Sequence, residues 1–528
     1  MSFLQTKLFR FVIYLLLIVS TGALIVSAAV SLNWRYFHDV PIMIYCAYLI
    51  DSGFIPYRDF FDMNMPGVYF CYLIAAKIFG WSDLSFRIFD ILYLASISFF
   101  TYLWLKPFGK IPALSAALLF GLFYLNDTNY LILQREYIEI LPLCIILWLM
   151  YSCKKLSKNK ILLLTGILIG FGISIKPQFI LLSLPPVLFF IFENKSLLKV
   201  RSQIKFLLTG ILIPLFIIVL YLIFTGSLKP FLDIVMNYWG LYTALNRDHM
   251  ILEGSQKISF ILKSLFDGLY TPLVPLAIVG ILLYNRDNPG SKFGYMLAML
   301  ITASVIYLLI AGKFYDYHWI AFNYFALCSA GYITRISGNR IKARNLVQLF
   351  TSMLLFVPLL KSNIGYSVQY LKNKDRINIT RFGAVDEIAS YLKENLKDGQ
   401  KVQPLDWTSG AIHAMLISKS IIATSFIYDF HFYHHIRSPW IENLMKGIPT
   451  NSFVQESNFP YIINLRNKFI NELSTARPEY IIQFIGNRSW PDGDNTTREF
   501  TELTIFINNN YEVVKDGNDY KIFRIKGE

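Results

Sequence analysis

Three groups of charged residues stand apart in a chain of 528 residues of which only 16% are Asp, Glu, Lys or Arg. The first is a set of acids, Asp39, Asp59 and Asp62, in the aromatic-rich stretch WRYFHDVPIMIYCAYLIDSGFIPYRDFFDMNMPGVYF. The second is Arg135, Glu136 and Glu139 in NDTNYLILQREYIEILP; the third is Lys313, Asp316 and His318 in GKFYDYHWIAF. Carboxylates take and return protons during group transfer. Glu136 and Glu139, three apart, share one helical face. Arg and Lys hold phosphate, or lay their stems along lipid and raise the charge to the headgroups. His318 is alone in its segment, which favours an interfacial place over metal ligation. An ion pair of Arg135 with Glu136 or Asp127 is the plainer reading of the second group. For Asp39 the plainer reading is a solvated helix end.

The elements that position these groups must be membrane spans. Hydrophobic residues make up 55% of the chain and aromatics 16%, whereas an average soluble domain carries roughly 25% charged residues. A soluble globule of this size has too few charges to cover itself. Disordered, collagenous and coiled-coil chains are excluded by composition as well. Five Cys with no CxxC spacing argue against a disulfide framework or a zinc cluster. The first apolar run reads as a retained helix rather than a cleaved signal.

Apolar runs at 11–32, 88–105, 111–126, 137–152, 160–175, 178–192, 204–225, 269–284, 293–311, 317–334 and 345–361 predict about eleven spans. The run 66–79 is too short to cross and reads as a half-inserted helix. With the N-terminus inside, the loops 106–110, 153–160, 193–205, 285–292 and 335–344 all fall on the cytoplasmic side, and all are net positive. The formal net charge of +14 then reports orientation rather than nucleic-acid binding. The outer face receives 33–87, 126–136, 226–268 and the tail, so Asp39 stands just past the membrane exit. The loop 226–268 predicts one or two interfacial helices that cover the site and move on lipid binding.

Composition shifts near residue 375. DEIASYLKENLKDG predicts a helix, KVQPL and RPEYIIQFIG strands, TREFTELTIFINNN a helix, and YEVVKDGNDYKIFRI a hairpin. The expected organisation is a transmembrane domain over 1–365 and an extracytoplasmic α/β domain over 375–528. HFYHH (431–435) reads as surface rather than metal site. Asn378-Ile379-Thr380 and Asn495-Thr496-Thr497 match the N-glycosylation pattern. The sequence has no Walker A loop, dinucleotide fingerprint or HExxH.

Asp39, GFIPYRDFFDMNMPGVY (53–69), Phe79-Gly80 and Arg87, in this order, resemble the integral-membrane glycosyltransferases of the C superfold. The branch is the bacterial one similar to protein O-mannosyltransferases and lipid A aminoarabinose transferases. QREYIEILP and GKFYDYHW resemble its second acidic loop and its Lys/Tyr/His outer turn. The resemblance covers roughly residues 10–340. It implies a polyprenyl-phosphate-sugar donor and a lipid, glycan or protein acceptor, used outside the plasma membrane of a bacterium. It implies Asp39 as catalytic base of an inverting transfer, and Arg87, Arg135 and Lys313 as cations for the donor phosphate. Asp59, Asp62, Glu136 and His318 would orient the acceptor or a cation. The resemblance fixes no cofactor, and a divalent cation stays open. Many relatives carry Lys before the Pro of the half-helix, where this chain has Asn64-Met65-Pro66, so another cation must serve there. The competing classes are a transporter or flippase of lipid-linked glycans, and an envelope-glycan polymerase or ligase. A transporter predicts duplicated halves with matching broken helices, and no such duplication is visible.

Overall fold

A computed structural model describes residues 2–36, 38–126, 131–192, 197–247, 250–252, 254–336, 342–372, 382–408, 410–429, 432, 460–484 and 500–527. Asp127, Asp248, Glu253, His431, His434, His435 and both glycosylation patterns lie outside these residues. The chain divides into two compact units. The first holds 1–36, 75–218 and 263–373; the second holds 37–74, 219–262 and 374–528. The grouping differs from the expected ranges 1–365 and 375–528, because 37–74 and 219–262 pack with the tail.

The first unit is helical. Helix α1 (Ser2–Ser31) buries Phe9, Ile13, Leu17, Ser20, Ala23, Ser27 and Val30 while Phe11, Ile18 and Ile25 stay exposed. Spacings of three and four put the buried set on one face, which packs against α5 (Lys110–Asn126) and α17 (Lys342–Lys372). An outward face this apolar is suited to lipid rather than water. Between them run α4 (Asp83–Leu105), α6 (Arg135–Ile138), α7 (Ile140–Tyr151), α8 (Lys158–Ile175), α9 (Phe179–Phe192), α10 (Leu197–Phe224), α13 (Gly254–Leu269), α14 (Leu273–Asp287), α15 (Phe293–Ala311) and α16 (Ile320–Ala330). Helices α8 and α10 meet at glycines. A Cβ on Gly166 would lie 2.2 Å from the Leu207 carbonyl oxygen, and one on Gly210 2.2 Å from that of Leu163. Such close backbone approach is a feature of helix crossings in membranes.

Six helices among the described residues are long and apolar enough to span, and a seventh if α13 and α14, bent by 66°, count as one. The expected spans 111–126, 137–152, 178–192 and 317–334 coincide with shorter helices (α5, α7, α9 and α16). The expected half-helix is α3 (Pro66–Phe79).

The second unit combines the loop helix α2 (Val40–Asp51), the short helices α11 (Leu228–Asp233) and α12 (Trp239–Ala244) with a π-helical turn between them, and the tail. A small hairpin, β1 (Leu245–Arg247) and β2 (Met250–Ile251), follows α12. Loop 226–268 thus holds α11, the π-helical turn, α12, the hairpin and most of α13, more elements than the one or two helices expected. The tail contributes α18 (Phe382–Asn395), β3 (Lys401–Leu405), α19 (Ala411–Ser418), β4 (Ile421–Ile422), α20 (Pro460–Ala476), β5 (Tyr480–Phe484), α21 (Thr501–Asn510), β6 (Tyr511–Asp516) and β7 (Tyr520–Ile525). The sheet order is β4-β3-β5-β7-β6, with β3 parallel to β4 and β5 and the β6–β7 hairpin antiparallel at the end. Every residue of β5 is buried, as a central strand covered on both faces requires.

Candidate active site

Glu136 is the centre of the first unit's polar cluster. The turn that carries it is held tightly. Leu133 adopts φ 52°, a left-handed conformation rare for a branched side chain, and its N–H donates to the Tyr124 hydroxyl at 3.1 Å. Gln134 then caps α6, its carbonyl accepting from Tyr137 and Ile138. The Tyr124 and Tyr137 rings stack at 4.0 Å. Tyr124 in turn donates to Asp90 at 2.6 Å, and Asp90 pairs with Arg87 at 2.7 Å.

The resulting turn places Glu136 in a buried polar cluster. Its Oε1 accepts from Lys176 Nζ at 2.6 Å and lies 3.3 Å from His318 Nε2. Glu139, one turn on, accepts from the Tyr307 hydroxyl at 3.0 Å. The Lys176 ammonium stands 4.6 Å from the centre of the Tyr307 ring, a cation–π distance. Arg135 and Lys313 bring their charges within electrostatic reach of His318. Lys313 follows Gly312, whose left-handed φ of 65° ends α15. Glu136 is 1% exposed, yet its Oε2, Glu139 Oε1 and His318 Nδ1 make no hydrogen bond among the described residues. Buried polar atoms in that state call for a partner.

Burial would raise the Glu136 pKa, but Lys176, then His318 and Arg135, outweigh it and hold the carboxyl at about 2. A carboxylate held so firmly is a weak proton acceptor at neutral pH; it suits orientation and charge balance. No three His, Cys, Asp or Glu side chains among the described residues form a metal-holding group, and an ammonium neutralises Glu136.

Arg87, expected among the cations for a phosphate, meets other partners here. It is fully buried, with Nε on the Ser31 carbonyl at 2.9 Å, Nη2 on Ser31 Oγ at 2.7 Å and Nη1 on Asp90. Its role is to anchor Asp90, and through Tyr124 the Glu136 turn. Sequence reading missed Lys176: it lies alone between two apolar runs in GISIKPQF. That isolation was the available signal, because a lysine at membrane depth needs a partner.

The second unit holds the three early acids, each in a different state. Asp39 is the N-cap of α2 with Pro41 in its first turn, follows His38 at a left-handed φ of 60°, and lies 3.1 Å from His38 Nδ1. Its carboxylate keeps 19% of its surface exposed. Asp59 receives Arg58 Nε at 2.7 Å and Nη2 at 2.9 Å, and the Ile55 N–H at 2.7 Å. The guanidinium holds this carboxyl below the usual range. Asp62 is 0% exposed. It accepts from Asn64 Nδ2 at 2.9 Å, from the Asn64 N–H and Tyr428 hydroxyl at 3.2 Å, and from the Cys46 thiol at 3.3 Å. Such burial fits a brace better than an acceptor-orienting group. Asp39 and Asp59 keep 19% and 27% of their side-chain surface exposed, whereas Asp62 keeps none.

Known proteins agree with this architecture. A family model described as dolichyl-phosphate-mannose-protein mannosyltransferase matches residues 64–224. Among solved structures, ArnT from Cupriavidus metallidurans bound to undecaprenyl phosphate is similar at a TM-score of 0.59 and 11% identity, over 96% of this chain and 97% of that one. The oligosaccharyltransferase AglB from Archaeoglobus fulgidus, in complex with an inhibitory peptide and a dolichol-phosphate, aligns at a TM-score of 0.43 and 12% identity, over 88% and 69%. No curated protein sequence matches. The chain is a multi-pass membrane protein with the glycosyltransferase C superfold and a small C-terminal sheet.

Proposed function

We propose that this protein is a membrane glycosyltransferase that moves a sugar from a polyprenyl-phosphate donor to an envelope acceptor on the extracytoplasmic face, with inversion. The family match over 64–224 and the ArnT-like fold support this reading. The single observation that carries it is the buried Glu136–Lys176–His318 cluster with Arg135 and Lys313 beside it, because a departing phosphate needs cations near the site where its charge builds. Asp39 removes the proton of the acceptor hydroxyl. The acceptor oxygen forms its bond to the anomeric carbon as the bond from that carbon to the phosphate oxygen breaks. The phosphate leaves with the electron pair, and Lys313, Arg135 and Lys176 hold its charge. Glu136 and His318 orient these cations. The positive-inside loops support a plasma-membrane protein with the N-terminus cytoplasmic and the tail outside.

The experiment compares sugar transfer by Asp39→Asn, Asp59→Asn and Asp62→Asn, purified in lipid and checked for folding. Asp39→Asn should lose about 10²–10⁴-fold in turnover while still binding donor lipid. Near-normal transfer by that variant removes Asp39 as the base. Reporter fusions at Ser157 and Gly399 should fall on opposite sides of the membrane; both on one side would overturn the topology.

A further inference from the structure

Within the second unit, the loop Ser52–Asp59 and the tail line an open groove of about 760 Å³, a volume in the range of small-molecule sites. Its charges cancel. Arg58 and Lys401 stand with Asp59 and Glu472 in the lining. The acids are also fixed: Asp59 is gripped by two Arg58 nitrogens, and Glu472 accepts the Ser425 N–H at 2.7 Å and its hydroxyl at 3.0 Å, with Lys468 Nζ 3.6 Å away. Asn471 and Thr475, one helical turn apart on α20, add an amide and a hydroxyl. The groove therefore offers carboxylate, amide and hydroxyl groups in rigid positions, with the charges of its lining residues in balance.

We propose that this groove binds a neutral glycan, several sugars long, as the acceptor; the word acceptor rests on the transfer reading above, and the groove does not. An anionic lipid headgroup would be drawn by an excess of cations and a basic peptide by an excess of acids, and the groove supplies neither. Vicinal sugar hydroxyls donate and accept at once, matching paired carboxylate, amide and hydroxyl groups. The open form suits a chain that enters and leaves rather than a ligand enclosed on all sides.

The test uses the full-length protein in phosphatidylcholine nanodiscs, with maltohexaose, mannohexaose and chitohexaose as probes in saturation-transfer NMR. At least one should bind with a dissociation constant on the order of 10⁻³ M or tighter. Asn471→Ala with Thr475→Val should weaken it by about tenfold or more, since two hydrogen-bonding groups are lost. Ser52→Trp, at an exposed rim position, should block it. Lys521→Ala on the distant β6–β7 hairpin should leave the affinity unchanged. Failure of all three sugars to bind, or affinity unmoved by the groove variants, overturns the proposal. So does preferential binding of pentalysine or glycerol phosphate. Undecaprenyl-phosphate binding is measured on the same samples. Donor binding without glycan binding sinks the groove alone; glycan binding without donor binding or transfer sinks the transfer reading and leaves the groove.

Discussion

Glu136 in the first unit and Asp62 in the second are both buried carboxylates, and they are satisfied in opposite ways. Glu136 meets an ammonium at 2.6 Å and an imidazole at 3.3 Å, with its second oxygen left without a hydrogen bond. Both oxygens of Asp62 are used, and the donors are an amide, a backbone N–H, a phenol and a thiol. The first arrangement concentrates charge and keeps bonding capacity in reserve, as a site that handles a charged ligand requires. The second spends that capacity on joining 46, 64 and 428. Burial alone therefore does not mark a functional acid; what matters is the bonding it has left over.

The largest test of this contrast removes the ammonium. Lys176→Met leaves Glu136 buried without its counter-charge and should cost about 3–5 kcal/mol, read as loss of thermal stability in lipid. Adding Glu136→Gln should restore much of that loss, since the pair is coupled. Additive losses would mean that Glu136 and Lys176 do not act as a pair.

Arg87→Lys comes next, at about 1–3 kcal/mol, because a lysine keeps the charge but not the fork that reaches Ser31 and Asp90 together. Donor-lipid binding by the folded variant should persist. A folded variant that no longer binds donor would return Arg87 to the phosphate site.

Asp62→Asn should cost about 1 kcal/mol, the scale of one neutral hydrogen bond, with transfer retained. A loss of transfer as large as that of Asp39→Asn, in a folded variant, would break the contrast by giving Asp62 a chemical role.

The last test varies pH and bears on the same pair as the first. The folded-state pKa of Glu136, about 2, lies below its ordinary 4.5. A depressed acid stabilises fully above its unfolded pKa and loses that contribution as pH falls through the folded one. The stability difference between the native chain and Glu136→Gln should shrink as pH falls from about 4.5 towards 2. A difference that does not shrink over that range would show a carboxyl not held by Lys176.

Local pattern was enough for much of the fold. The half-helix 66–79 coincides with α3, YIIQF is β5, and the Asp516-Gly517-Asn518 turn joins β6 to β7, because apolar period and turn chemistry act over a few residues. The position of Glu136 at the head of a helix, one turn from Glu139, was legible for the same reason. Three things were decided only in three dimensions. Lys176, forty residues from Glu136, became its partner; Arg87 was spent on Ser31 and Asp90; and 37–74 packed with the tail rather than with the spans that flank it. Each depends on which distant groups share a buried space, and a charge's partner is chosen by that proximity and its dielectric rather than by sequence spacing. Residue type and order determined a membrane-embedded helical protein with acids gathered between its helices. Tertiary packing determined which of those acids are braces and which keep bonds to offer.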